Sequence, residues 1–249
     1  MSNEGHATEQ PTTHTQHEGH QVGSHILWDV GGTTLHGDTL ITSWLVIAVL
    51  AILAISFSKK LTQKPGKGQV FIESAVEFVE DLVTGQIETK NTLMYMPLIG
   101  TIFFFVLFSN LIGLVPWRIL ALFGFQGELA SPTNDLNTTG ALALIALVSY
   151  FYYGIKKKGW GYFKHYITPH PAFFPLNLME DFTRPLSLAF RLFGNIMGGE
   201  IVLFVLLGLA PWFIPLPLFA LEVFVAFIQA FIFAVLTAFY IGAAVAEHH

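Results

Sequence analysis

Charge is missing from this chain over distances that only a membrane makes common. Residues 39–58, 91–117 and 136–155 contain no charged side chain; 186–209 contains only Arg191 and Glu200, and 218–246 only Glu222. In hydrocarbon an unpaired backbone N–H or C=O costs several kcal/mol, so a spanning segment must satisfy its own backbone as a helix. About twenty residues at roughly 1.5 Å each cross about 30 Å of hydrocarbon. The expected fold class is therefore all-α: a polytopic membrane protein with three roughly perpendicular transmembrane helices, an amphipathic interfacial helix and a long, strongly tilted C-terminal helical hairpin. Composition agrees. Charged residues make up 12% of the chain, against about 25% in soluble domains, and the mean hydropathy is +0.59. Nothing suggests a soluble catalytic domain, and no cofactor is expected. With no cysteine, disulfides and thiolate–metal sites are excluded. The net charge of −5 comes from an acidic head and tail and describes no nucleic-acid surface.

Residues 1–38 form a polar, His-rich segment without the basic start and short apolar run of a signal peptide. His6, His14, His17, His20, His25 and His36 fit either a flexible tail or a metal-binding one. Residues 39–158 hold the first span, an amphipathic helix over 69–90 and two further spans. Lys59, Lys60, Lys64 and Lys67 follow the first span and Lys156–Lys158 the third. The positive-inside rule puts both of these span ends in the cytoplasm, or the equivalent stroma or matrix, and so the N-terminus outside; if the last two segments form a hairpin, the C-terminus ends inside. Between 69 and 90, Ile72, Ala75, Val76, Val79 and Leu82 repeat at helical spacing, with Glu73, Glu77, Glu80 and Asp81 on other faces. Such a helix lies along the membrane surface or packs against a partner. Asn134 or Asp135 is placed to cap the third span.

Residues 159–249 form a Pro- and aromatic-rich connector and the two-helix hairpin that carries the candidate site. Residues 176–210 run to about 50 Å if helical, longer than a perpendicular crossing, so tilt must absorb the excess. Arg191 lies at bilayer depth, where an ionised group costs from about 3 to more than 10 kcal/mol and normally faces a partner charge or water. It is either an ion-translocation residue or a snorkelling or ion-paired structural one. Ser187, Arg191 and Asn195 share a face at i, i+4, i+8, with Arg184, Gly194 and Gly198 close by. Glu200 points to the other side, about 13 Å further along. Glu222 and Gln229 share a face about 10 Å apart. In an antiparallel hairpin Glu200 and Glu222 approach the same, outer end, Gln229 lies nearer Arg191, and Glu180 and Asp181 lie inward. Desolvation disfavours a charged carboxylate, which makes acids at depth suitable relays, whereas arginine stays charged and blocks direct leakage. A carboxylate that visits Arg191, loses its proton and moves on must come from a partner. Without that partner, a solitary cation or proton transporter or channel is the alternative, although no internal repeat supports it.

The run R-P-L-S-L-A-F-R-L-F-G-N-I-M-G-G-E, followed by I-Q-A-F-I-F-A-V-L-T-A-F-Y-I, closely resembles subunit a of the F-type ATP synthase membrane sector. S-P-T-N-D-L-N-T-T and I-T-S-W-L-V-I-A resemble its cyanobacterial and chloroplast branch. The resemblance covers about residues 25–249. It implies a non-catalytic proton-translocating stator beside a rotating ring of c subunits, with peripheral-stalk b-type subunits as further partners, in a thylakoid or bacterial inner membrane. It makes Arg191 the essential arginine, Asn195 and Gln229 its polar flanks, and Glu200 the acid of the outer half-channel. Glu222 stands where many bacterial relatives carry histidine. Ser187 matches a residue of the inner half-channel, and Glu180 and Asp181 resemble the acidic pair at its mouth.

Overall fold

The computed structural model describes residues 27–30, 33–58, 66–87, 92–114, 131–163, 174–209 and 215–246. The charge-poor runs become helices α1 (Gly37–Ser58), α3 (Met96–Gly113), α4 (Leu136–Lys158), α5 (Phe174–Leu209) and α6 (Pro215–Val245). All five are long and apolar enough to cross a membrane, and the protein is a multi-pass, all-α membrane protein. A small addition precedes them. Strands β1 (Leu27–Val30) and β2 (Thr33–His36) pair antiparallel, Leu27 opposite His36 and Val30 opposite Thr33. The reading of 1–38 as a plain polar segment missed this hairpin, although Gly31-Gly32 between two short β-prone runs is a hairpin signal. Of the six histidines, His36 ends β2; His6, His14, His17, His20 and His25 lie outside the described residues.

Helix α6 is central. It packs against α2, α3, α4 and α5. Ala226, Ala230, Ala234 and Ala238 recur every fourth residue along it, all buried. In a bilayer, lipid tails match leucine in polarity, so helices cohere through close packing and polar contacts, and small residues permit the approach. Phe233, Leu188, Leu192, Ile99 and Val106 fill the shared core. Most of α1, by contrast, is open: Trp44 is 69% and Ile52 63% exposed, side chains suited to lipid.

Helix α2 (Lys67–Gln86) is shorter than the 69–90 expected at its far end, because Ile87 leaves the helix in extended conformation. Its apolar side is covered by the chain itself. Val79, Leu82 and Val83 are buried in the common core, and Phe78 meets Phe103 of α3 and Phe227 and Phe231 of α6. A Cβ at Gly242 would collide with the Gln86 carbonyl, so that glycine lets α2 and α6 touch backbone to side. The earlier half of the predicted stripe stays open, with Val76 exposed.

The S-P-T-N-D run has a structural task. The Ser131 hydroxyl donates to the Ser109 carbonyl (2.9 Å) and lies 2.7 Å from Thr133 Oγ1. Thr133 donates to Asn110 Oδ1 (2.7 Å), whose amide nitrogen donates to the Ala226 carbonyl of α6 (3.4 Å). Interhelical polar contacts of this kind contribute about 0.6–2 kcal/mol each. Asp135 caps α4 by accepting from the Asn137 N–H at 2.9 Å, and receives Thr39 of α1 at 3.4 Å. Asp135→Ala is expected to lower stability by about 1 kcal/mol, the usual cost of a lost N-cap, measured by thermal unfolding in detergent. At the other end Gly159 ends α4 with φ 59°, a conformation that suits glycine. The Lys156–Lys158 run occupies the last turn, where cations complement the helix dipole.

Candidate functional site

Helices α5 and α6 run antiparallel in a register set by three contacts. Arg184 lies 5.2 Å over the ring of Tyr240, Asn195 Nδ2 donates to Gln229 Oε1 at 2.6 Å, and Glu222 lies against Gly199. A Cβ on residue 199 would stand 3.0 Å from Glu222 Oε1, so glycine there makes room for the carboxylate. The same register sets Arg191 level with Phe233.

On α5 the residues divide by face. Asp181, Pro185, Leu188, Ala189 and Leu192 are buried against the bundle. Ser187 and Arg191 are exposed, with Phe190, Gly194 and Gly198 beside them. Arg191 makes no hydrogen bond or ion pair with any described residue. A guanidinium carries five donors and keeps its charge. This one is held on the outside of the helix with every donor free among the described residues, about 6 Å along the axis from the Asn195–Gln229 bridge.

Gln229 is 1% exposed, and its Nε2 has no acceptor among the described residues. Both carboxylate oxygens of Glu222 are buried and without a hydrogen-bond partner there. Glu200 lies on α5 directly after Gly199, so its backbone and Glu222 occupy one level of the hairpin; the Glu200 side chain is outside the described ones.

Glu180 and Asp181, paired in the sequence reading, part company in the fold. Glu180 is exposed and meets Arg184 Nη2 at 2.5 Å. Asp181 is 6% exposed; it accepts from the Tyr150 hydroxyl of α4 at 3.3 Å on each oxygen and from Arg184 Nη1 at 3.4 Å. Sequence reasoning placed Arg184 near the Arg191 face and missed its task. The acid-to-base spacings of four and three residues were the available signal. Tyr150 and Tyr240 come from distant helices and gave none. No group of three metal-ligating side chains occurs among the described residues.

Comparison with known proteins decides the family. The model for the family "ATP synthase A chain" matches residues 40–242. The chain is 49% identical to "ATP synthase subunit a, chloroplastic" of Oedogonium cardiacum over 229 residues, covering 92% of this chain and 90% of the relative. To the protein of the same name from Stigeoclonium helveticum it is 48% identical, covering 92% of each.

The chain belongs to the ATP synthase subunit a family.

All eight residues singled out for the site lie inside the segment matched by the ATP synthase A chain model. All eight lie on the long hairpin, six on α5 and two on α6, and Asp181 also accepts from Tyr150 of α4. The strand pair at 27–36 lies before the matched segment.

Proposed function

We propose that the protein is the proton-translocating stator subunit of an ATP synthase membrane motor. It forms two offset aqueous half-channels separated by Arg191, which deprotonates carboxylates on a rotating c-subunit ring. The observation that carries this is the position of Arg191: a permanent cation on an exposed helix face, unpaired among the described residues. Within its own chain that charge has no described compensation, so the compensating carboxylate belongs to a partner.

In this reading a proton enters from the lumen or periplasm past Glu200 and Glu222. Glu222, buried and unpartnered beside Gly199, is suited to hold a proton there. The proton neutralises a ring carboxylate, which then enters lipid, where its charged form is too costly to go. The returning acid meets Arg191 from the other side, and the opposite charge favours its ionisation. The released proton leaves past Ser187 and Glu180. The Asn195–Gln229 bridge ties α6 to α5 one turn from the arginine and holds the guanidinium's neighbourhood polar. Each proton brings about 2.3 kcal/mol per 100 mV of potential. The subunit itself makes no ATP; b-type stalk subunits hold it still, and the thylakoid or a bacterial inner membrane surrounds it, N-terminus outside.

Crosslinking in the assembled complex tests the geometry, and the absence of native cysteine makes it clean. Single cysteines at Phe190, Gly194 and Met197, all exposed, are expected to form disulfides with cysteines on ring helices. Cysteines at the buried Leu188 and Leu192 are expected not to. Equal yields from both sets, or none from the first, would remove the ring from this face.

A further inference from the structure

The polar cluster at the inner end of the hairpin assigns different tasks to two adjacent acids. Asp181 is enclosed by α4, α5 and α6, in a cleft whose lining includes Tyr150, Arg184, Leu188 and Tyr240. The Tyr150 ring is itself braced edge-on by Tyr162 at 6.0 Å. Arg184 stands at the centre. One nitrogen faces Asp181, another faces Glu180, and the guanidinium covers the Tyr240 ring. The contacts with Asp181 and Tyr240 draw Arg184 towards the bundle, while the exposed Glu180 holds its other nitrogen at the edge.

Sequence spacing makes that consequential. Arg184 and Arg191 are seven residues apart, so their Cα atoms lie on nearly one side of α5, about 10 Å along the axis. Left unpaired, Arg184 would present a second permanent charge on the approach to Arg191. Within a bilayer, salt screens such a charge poorly.

Resting on the proton-path reading above, we infer that Asp181 is the buried counter-charge of Arg184, a positioning residue that withdraws this arginine from the inner proton path, and that Glu180 alone of the two acids exchanges protons with the aqueous side. The bonding separates the roles. Both acids meet the Arg184 guanidinium, but Asp181 is buried and held by the Tyr150 hydroxyl as well, whereas Glu180 is exposed at the cluster's edge and open to water. The Tyr150 hydroxyl fixes the carboxylate from α4, so the counter-charge is aimed by a helix that carries no other residue of the path.

The test is a charge-pair rescue in the assembled synthase, read as proton-driven ATP synthesis and as the amount of complex assembled. Asp181→Asn keeps size and hydrogen-bonding capacity but removes the charge, and is expected to slow synthesis about tenfold or more through a partly uncompensated arginine. Adding Arg184→Gln removes the charge that needed compensation. The double variant is expected to return to within about twofold of Arg184→Gln alone, the non-additivity that marks a coupled pair. A double variant no faster than Asp181→Asn overturns the inference, because a lost proton carrier is not restored by deleting an arginine. If Asp181→Asn fails to assemble, assembly of the double variant is the readout: recovery supports the pair, and failure where Arg184→Gln alone assembles overturns it. Arg191→Ala in the same preparation separates the two levels. Synthesis surviving that change sinks the proton-path reading itself, while its loss together with an unrescued double variant sinks only the role of Asp181.

Discussion

Arg191→Ala is expected to abolish proton-driven ATP synthesis while the complex still assembles. Both halves follow from its surroundings. The side chain gives no hydrogen bond or ion pair to any described residue and stands on an exposed face. Cutting it back therefore removes no bond that holds the described bundle together, and misfolding does not account for the loss. What goes is the field. An opposite charge within about 4–6 Å shifts a carboxylate by about 1–3 pH units towards ionisation, so its removal forfeits about 10- to 1,000-fold in the deprotonated fraction of each acid presented to it. In the proposed two-channel arrangement the barrier between the two sides would go too, so passive proton leak through the complex is expected to rise. Assembly, synthesis and leak are measured on the same vesicles. Retained synthesis would favour a structural anchor, and transport by the isolated chain without any ring would favour a solitary transporter.

Glu200→Gln is expected to slow synthesis strongly, by about 100-fold, the lower end of the range for losing a positioned acid–base group. The substitution is nearly isosteric, so the effect isolates the exchangeable proton. Glu222→Gln is expected to be milder, since Glu200 at the same level of the hairpin remains; the pair shares one entry path. The double variant should then cost more than the sum of the two single effects, because each single change leaves a relay in place. Turnover measured against proton-motive force decides it. An unchanged rate for Glu200→Gln removes that acid from the outer relay.

Much of this was readable from the chain because membranes impose simple rules. Spans without charge must be helices, and helices of 36 and 31 residues were visible as runs too long for a perpendicular crossing. The antiparallel register was implicit in spacing: it brought Asn195 to Gln229 and set Glu222 beside the residue before Glu200. What escaped needed contacts from afar. Val79 and Leu82 read as part of a surface stripe, yet they are buried with Val83 in the common core, which periodicity alone does not reveal. Asp181 read as the twin of Glu180, and only the arrival of Tyr150 from α4 shows that it faces inward. The S-P-T-N-D run served as a family signature; its bonds to Ser109, Asn110 and through Asn110 to Ala226 have no local trace.

Pro185 lies within α5, buried, six residues before Arg191. Proline has no N–H, so the Asp181 carbonyl four residues back lacks its helical donor, and the ladder is interrupted there. The inner stump is pinned by Arg184 and Tyr150, whereas the stretch beyond carries the free cation. A break in the ladder is a place where a helix can bend. If the proposed stator reading holds, Arg191 then stands just past a yielding point of α5, and the anchored base need not shift when the charge does.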